Sequence, residues 1–269
     1  DNDTQNMDVN PGESPMALNK TITYFPALEN FETRNVKYYD NNMNIVADSI
    51  YDANNNFMSR NIYTVNGNTL TITTKNGAGA TTAVVTEQHD EQGRLTDYNN
   101  NGVLYQYTYD ADSVSEKKWD EAAQAFVEMA VFTYNSNGYL YAQTELVGDI
   151  ISDATSLVFT GNQPTALMAQ GVTGQLEQLG AYTYYSNSVP SALQKSVIAI
   201  NNEVLKANKI EDLAVLSNNY LQDFTLGSSP YYHSEITFSQ ESGLSNYPYI
   251  QNVMLQGEQF CTTYYFFAN

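Results

Sequence analysis

Tyr39-Asp40-Asn41-Asn42-Met43-Asn44, then Tyr51-Asp52-Ala53-Asn54-Asn55-Asn56, then Tyr63-Thr64-Val65-Asn66-Gly67-Asn68: these phrases recur at one interval and decide the fold class. Each interval holds one strand and one tight turn. An Asp or Asn after the tyrosine accepts backbone N–H groups as an Asx turn, and Asn-Gly suits a type I′ hairpin. The tyrosine before the turn is expected to cap the core while its hydroxyl stays wet.

The same grammar runs outward from this stretch. Ala83 to Gln88 closes on Asp90-Glu91-Gln92-Gly93, and Asn99-Asn100-Asn101-Gly102 turns into Val103 to Tyr109. Asp110-Ala111-Asp112 turns again, and Asp120 to Gln124 separates Trp119 from the strand Ala125 to Tyr134. Asn135-Ser136-Asn137-Gly138 leads to Tyr139 to Val147. Gly148-Asp149 and Gly161-Asn162-Gln163-Pro164 bracket Ile151 to Phe159. Later strands are Leu179 to Tyr185, Tyr231 to Ser239, Tyr249 to Gln256 and Gln259 to Phe267. Strands joined by turns this short run antiparallel to their neighbours.

One region departs from the pattern. Between Asn208 and Tyr220 the periodic positions fall at Ile210, Leu213, Ala214 and Ser217 or Leu216, near helical spacing, with Asn208 as a candidate N-cap and Glu211 three residues on. A short helical insertion is expected there. Val197 to Lys206 reads equally as a hairpin around Asn201-Asn202 or as a helix.

Composition bounds the function. The chain has 269 residues, long enough to bury about three quarters of its unfolded surface. Its 30 acidic and 11 basic side chains give a net charge of -19. Such a surface repels phosphate backbones and anionic lipid, so nucleic acid is excluded as a partner and electrostatic membrane docking is disfavoured. Cys261 is the only cysteine, which rules out an intrachain disulfide and a cysteine-based zinc site. No stretch reaches the roughly 18 apolar residues of a spanning helix. Residues 1–18 read as a disordered acidic leader or tether, and 19–269 as a single β domain.

Tyr107-Thr108-Tyr109-Asp110, Phe132 to Leu140 and Tyr182 to Pro190 resemble the YD-type repeats of Rhs and teneurin proteins. Their spacing is more similar still to a family of exported Bacteroidetes proteins of unknown activity, often lipoproteins, with a porin-like or half-barrel meander. The resemblance spans roughly residues 35 to 267 through the repeat grammar. Shorter first intervals, and Asn in place of many Asp and Gly, depart from true YD repeats and from their enclosed shell. The resemblance implies an exported protein of the cell envelope, in the periplasm or on the outer-membrane surface. A lipid anchor before Asp1-Asn2-Asp3 would be its only membrane attachment, and the resemblance supplies no site residues.

The residues themselves point to little chemistry. Asp40-x-Asn42-x-Asn44 and Asp52-x-Asn54-x-Asn56 match the first half of a calcium loop, but Ile45 and Phe57 stand where the sharp turn needs Gly, and Tyr51 and Tyr63 where it needs Glu. His89 and His233 lie far apart, in no metal-binding or hydrolase motif. No catalytic residue, metal ligand or cofactor is therefore assigned. Trp119, with Tyr105 and Tyr107, could form a sugar-stacking platform, against the plainer reading of half-buried sheet aromatics. Asp48-Ser49-Ile50 and Asp112-Ser113-Val114 match a short O-glycosylation signal, and Asn19-Lys20-Thr21 an N-glycan sequon. Lys37, Arg60, Asn61, Lys117, Lys118 and Glu145 interrupt the strands, and mean hydropathy is -0.42, which argues against a lipid-facing barrel.

The expectation is an all-β antiparallel meander, curled or partly closed, with one late helical insertion. It would serve as a non-catalytic binding or scaffolding protein for a glycan, peptide or protein of the cell surface or periplasm. The alternative is a half-barrel carrier of an apolar ligand, lidded by Asn208 to Tyr220.

Overall fold

A computed structural model describes residues 16–26, 34–241 and 244–268. The strands are β1 (Ala17–Tyr24), β2 (Arg34–Tyr39), β3 (Ile45–Tyr51), β4 (Phe57–Asn66), β5 (Thr69–Asn76) and β6 (Thr81–His89). They continue as β7 (Leu95–Asn100), β8 (Val103–Tyr109), β9 (Ser113–Asp120), β10 (Ala125–Tyr134), β11 (Leu140–Val147) and β12 (Ile150–Thr160). The last are β13 (Gln163–Gln170), β14 (Leu176–Ser188), β15 (Asn219–Leu226), β16 (Ser229–Phe238), β17 (Pro248–Leu255) and β18 (Glu258–Ala268).

Every strand pairs antiparallel with its sequence neighbours, and β1 also pairs with β18 from Ala17↔Ala268 to Tyr24↔Thr262. The sheet is therefore a closed 18-stranded barrel. This settles the expected curled meander as full closure, and corrects the half-barrel: closure alone removes the two exposed edges that an open meander leaves. The leader expected over 1–18 lies outside the described residues as far as residue 15, and β1 already begins at Ala17.

The turn grammar has two forms. In the first, an Asp or Asn N–H donates to the carbonyl four residues on, and its side chain accepts N–H groups two and four residues on. Asp40, Asp52, Asn76, Asp90 and Asn135 all do this, with a left-handed residue three positions on: Met43, Asn55, Gly79, Gly93 and Gly138. The second form is a two-residue hairpin. Asn101-Gly102 and Gln256-Gly257 hold positive φ at both central residues, as type I′ requires. At Asn66-Gly67-Asn68-Thr69 the expected type I′ turn is replaced. Asn66 pairs with Thr69, so the central residues are Gly67 and Asn68, and only Gly67 has positive φ, the type II′ pattern. Gln163-Pro164, read as turn, opens β13; Pro164 pairs with Phe159 beside a bulge, where a strand tolerates a missing donor.

The irregular segment between β14 and β15 is a plug inside the barrel. A 3-10 turn (Ser191–Leu193) near β1 leads to α1 (Val197–Ala207), a second 3-10 turn (Ile210–Asp212) and α2 (Leu213–Leu216). The hairpin alternative for Val197 to Lys206 is excluded. Ser196 caps α1 by accepting the Ala199 N–H at 3.1 Å, and Ile200, Val204 and Leu205 share one apolar face. Asn208, read as an N-cap, is instead the C-cap, with φ 52°. Asn tolerates that left-handed conformation because its side chain bonds locally.

A barrel of this strand number would otherwise enclose a water-filled lumen. Here Ile200, Val204, Leu205, Ile210 and Leu213 pack against lumen-facing Leu95, Val114, Phe132, Leu140, Leu157 and Leu167. Burying each such side chain is worth about 1.5–3 kcal/mol. Close approach matters at Gly180 in β14. A Cβ there would collide with the Thr225 carbonyl and the Phe224 ring, and Phe224 stacks on Tyr182 at 4.5 Å. Gly180→Ala is expected to cost about 2 kcal/mol, seen as a lower urea midpoint; an unchanged midpoint would mean that β15 yields freely.

Candidate functional site

Strand parity divides the wall into a lumenal and an outer surface. The plug is locked to the lumenal side by consecutive asparagines. Asn202 Oδ1 accepts the Leu95 N–H at 3.0 Å while its Nδ2 donates to the Gly93 carbonyl at 2.9 Å. Asn201 repeats this on the next equivalent turn, accepting from Leu140 N–H at 3.1 Å and donating to the Gly138 carbonyl at 2.8 Å. Lys206 Nζ donates to Glu87 at 2.7 Å and Glu203 at 2.9 Å, and these carboxylates outweigh burial to hold its ammonium pKa above the usual value. Gln143 completes the set, donating to Asn208 Oδ1 at 2.9 Å and accepting the Ile210 N–H at 3.1 Å.

Glu116 lies between β8 and β10 at 1% exposure. Its carboxylate oxygens make no hydrogen bond, because the neighbouring Tyr107 hydroxyl is turned to the Leu205 carbonyl at 3.3 Å. Burial pushes the Glu116 carboxyl up to about 7; Glu145 acts in the same direction, and Tyr107 and Lys118 oppose it.

The lumen flanked by β16 to β5 is tyrosine-rich and polar. Tyr265 donates to Gln251, Gln251 to Ser234 Oγ, and Tyr185 to the Ser234 carbonyl, at 2.7, 2.9 and 2.6 Å. Tyr39 bonds Thr21 at 3.3 Å and Tyr63 donates to Asp48 at 2.9 Å. The pre-turn tyrosines Tyr39 and Tyr63 therefore hold their hydroxyls inside the barrel, correcting the wet position expected for them.

The platform residues do not come together. Tyr105 and Tyr107 face the lumen, where Tyr105 stacks on Tyr98 at 5.9 Å and Tyr107 packs under α1. Trp119 points to the opposite face of the sheet, edge-on to Phe126 at 5.4 Å. A single stacking surface needs one parity; these residues have two.

Asp40 and Asp52 use their carboxylates on their own turns. Each accepts the Asn N–H groups two and four residues on and an Asn side-chain amide. The side chain and backbone of Asn56 hold the Asp52 carboxyl pKa below its usual range. His233 Nδ1 meets Asp223 at 2.6 Å on the outer wall, with Glu235 3.7 Å from Nε2. Thr183 donates to Asp223 rather than to His233, so the geometry is acid–histidine–acid with no hydroxyl nucleophile on the imidazole. His89 Nε2 lies 3.5 Å from Glu87.

The outer wall carries the feature that sequence reasoning missed. Registered pairs run Tyr264–Ile22–Val36–Ser49–Arg60–Lys75 around the barrel. The adjacent rows run Phe266–Lys20–Tyr38 and Tyr24–Arg34–Tyr51. Lys20 sits 4.8 Å over Phe266, Arg34 sits 4.0 Å over Tyr51, and Tyr24 meets Tyr264 edge-on at 5.9 Å. Tyr24, Tyr38, Tyr264 and Phe266 are all more than a third exposed. The signal was present as alternate residues along each strand, but it becomes a surface only once β18 is known to pair with β1. Elsewhere the outer wall carries the charged side chains of Asp97, Lys117, Glu128, Asp223 and Glu235.

The pocket lined by Thr81, Thr82, Ala83, Val84, Asn99, Asn101 and Gly102 is an open polar depression at one rim. No helix among the described residues is long and apolar enough to cross a membrane. No family model matches the chain, and no curated protein matches it. Among solved structures, a porin-like protein from Bacteroides uniformis aligns at 10% identity and a TM-score of 0.47, over 94% of this chain and 99% of that one. A porin-like protein from Bacteroides vulgatus aligns at 11% identity and a TM-score of 0.36, over the same shares of the two chains.

Proposed function

We propose that this chain is a non-catalytic binding or scaffolding protein of the cell envelope that works from its outer wall. The observation that carries the reading is the occupancy of the lumen. The apolar surface that could hold a small ligand is covered by the chain's own plug, with Ile210, Leu213 and Ala214 fully buried. The Asn208–Tyr220 segment is thus a core element rather than a lid, and the apolar-carrier reading loses its cavity. The charged outer wall suits a protein bathed in water and held at the envelope by a tether ahead of β1.

Fractionation of the native cell with photo-crosslinking tests this. A crosslinking amino acid at Tyr264 should capture an envelope component, and one at Lys117, on β9 at the opposite side of the ring, should not. Recovery in the cytoplasmic fraction, or equal silence at both positions, would overturn the reading.

A further inference from the structure

On the outer-wall reading just given, we infer that the sector from β17 round to β5 binds an acidic polysaccharide. The chain carries 30 carboxylate side chains, yet among the described residues none stands at an outward strand position of this sector. Asp48 faces the lumen and Glu258 lies at the rim. Lys20, Arg34, Arg60 and Lys75 all face out there.

Arg60 and Lys75 are directly opposed across β4 and β5, and neither makes an ion pair among the described residues. Like charges directly opposite one another destabilise a sheet, and acidic side chains are abundant in this chain, so the pair stands as an unfilled anion site. Arginine beside it offers a planar fork that matches a carboxylate.

The aromatic part of the sector sets the rest of the ligand. Exposed rings at Tyr24, Tyr38, Tyr264 and Phe266 stand at outward positions of β18, β1 and β2, with Lys20 and Arg34 set among them. Flat rings alternating with cations match a sugar chain, whose C–H faces stack on the rings while its carboxylates reach the cations. An anionic membrane would meet the net charge of -19 along its whole plane. A single glycan strand lies within one sector, and charges beyond about 8–10 Å are screened from it.

Titration calorimetry with a galacturonic-acid tetramer, its neutral galactose counterpart, and phosphatidylglycerol–phosphatidylethanolamine vesicles tests the inference. The acidic tetramer should bind and the neutral one should bind at least tenfold more weakly. Arg60→Gln/Lys75→Gln should weaken the acidic tetramer at least tenfold, and should fold at least as well because it relieves a repulsion. Unchanged affinity in that variant, equal binding of the neutral tetramer, silence toward the acidic one, or binding of vesicles alone would each overturn it. Any of these would leave the outer-wall reading to the Tyr264 crosslink, which requires no acidic ligand.

Discussion

Asn201→Leu/Asn202→Leu is expected to release the plug and remove most of the stability of the barrel. Each asparagine satisfies a buried N–H, of Leu95 or Leu140, and a partly buried carbonyl, of Gly93 or Gly138. A buried polar group left unpaired costs about 1–3 kcal/mol, so the four groups together cost roughly 4–12 kcal/mol. Whole domains are stable by about 5–15 kcal/mol. Each single leucine variant should lose about half the combined amount, read from urea unfolding by far-ultraviolet circular dichroism. Binding of a hydrophobic dye should rise as the lumenal leucines are uncovered. A double variant within about 1 kcal/mol of the parent would show that apolar contact alone seats the plug.

Glu116→Gln is expected to stabilise the protein strongly at alkaline pH and hardly at all in acid. The folded carboxyl titrates near 7 against an ordinary value of 4.5. Between those values the folded state holds a proton that the unfolded state has lost, so stability falls as pH rises through this window and is lowest above it. At about 1.4 kcal/mol per unit, the carboxylate costs on the order of 3 kcal/mol at pH 8. Glutamine removes that cost and should flatten the slope of stability between pH 5 and pH 8. Burial sets the value, and the neighbouring groups that adjust it are Tyr107 on β8, Glu145 on β11 and Lys118 on β9. Equal slopes in parent and variant would show that this carboxyl is solvated in solution.

Much of the barrel was legible because its turns are local chemistry. Asp40, Asp52, Asp90 and Asn135 announce reversals through bonds that reach no farther than four residues, and hairpins joined that way can only be antiparallel. Closure was not legible in the same sense. It rests on β1 meeting β18, and nothing in either strand marks the other as its neighbour. The plug was half-seen for a related reason: Asn201-Asn202 carries turn chemistry locally, and its role as a clamp depends on Gly93 and Gly138 far away in sequence. Trp119, Tyr105 and Tyr107 were grouped by aromatic character, and parity on adjacent strands then split them. Arg60 was read only as a charge interrupting its strand and Lys75 escaped notice, because each is an ordinary surface cation until register sets one against the other.

The β1–β18 seam constrains how the chain is made. No intermediate lacking β18 can be closed, so during synthesis at roughly 5–20 residues per second the growing meander carries unpaired β1 hydrogen-bonding groups for tens of seconds. Its nascent form is sticky at both flanks throughout that time. Holding such a chain apart from its own siblings, until the eleven residues of β18 arrive to complete the ring, is a task for a chaperone.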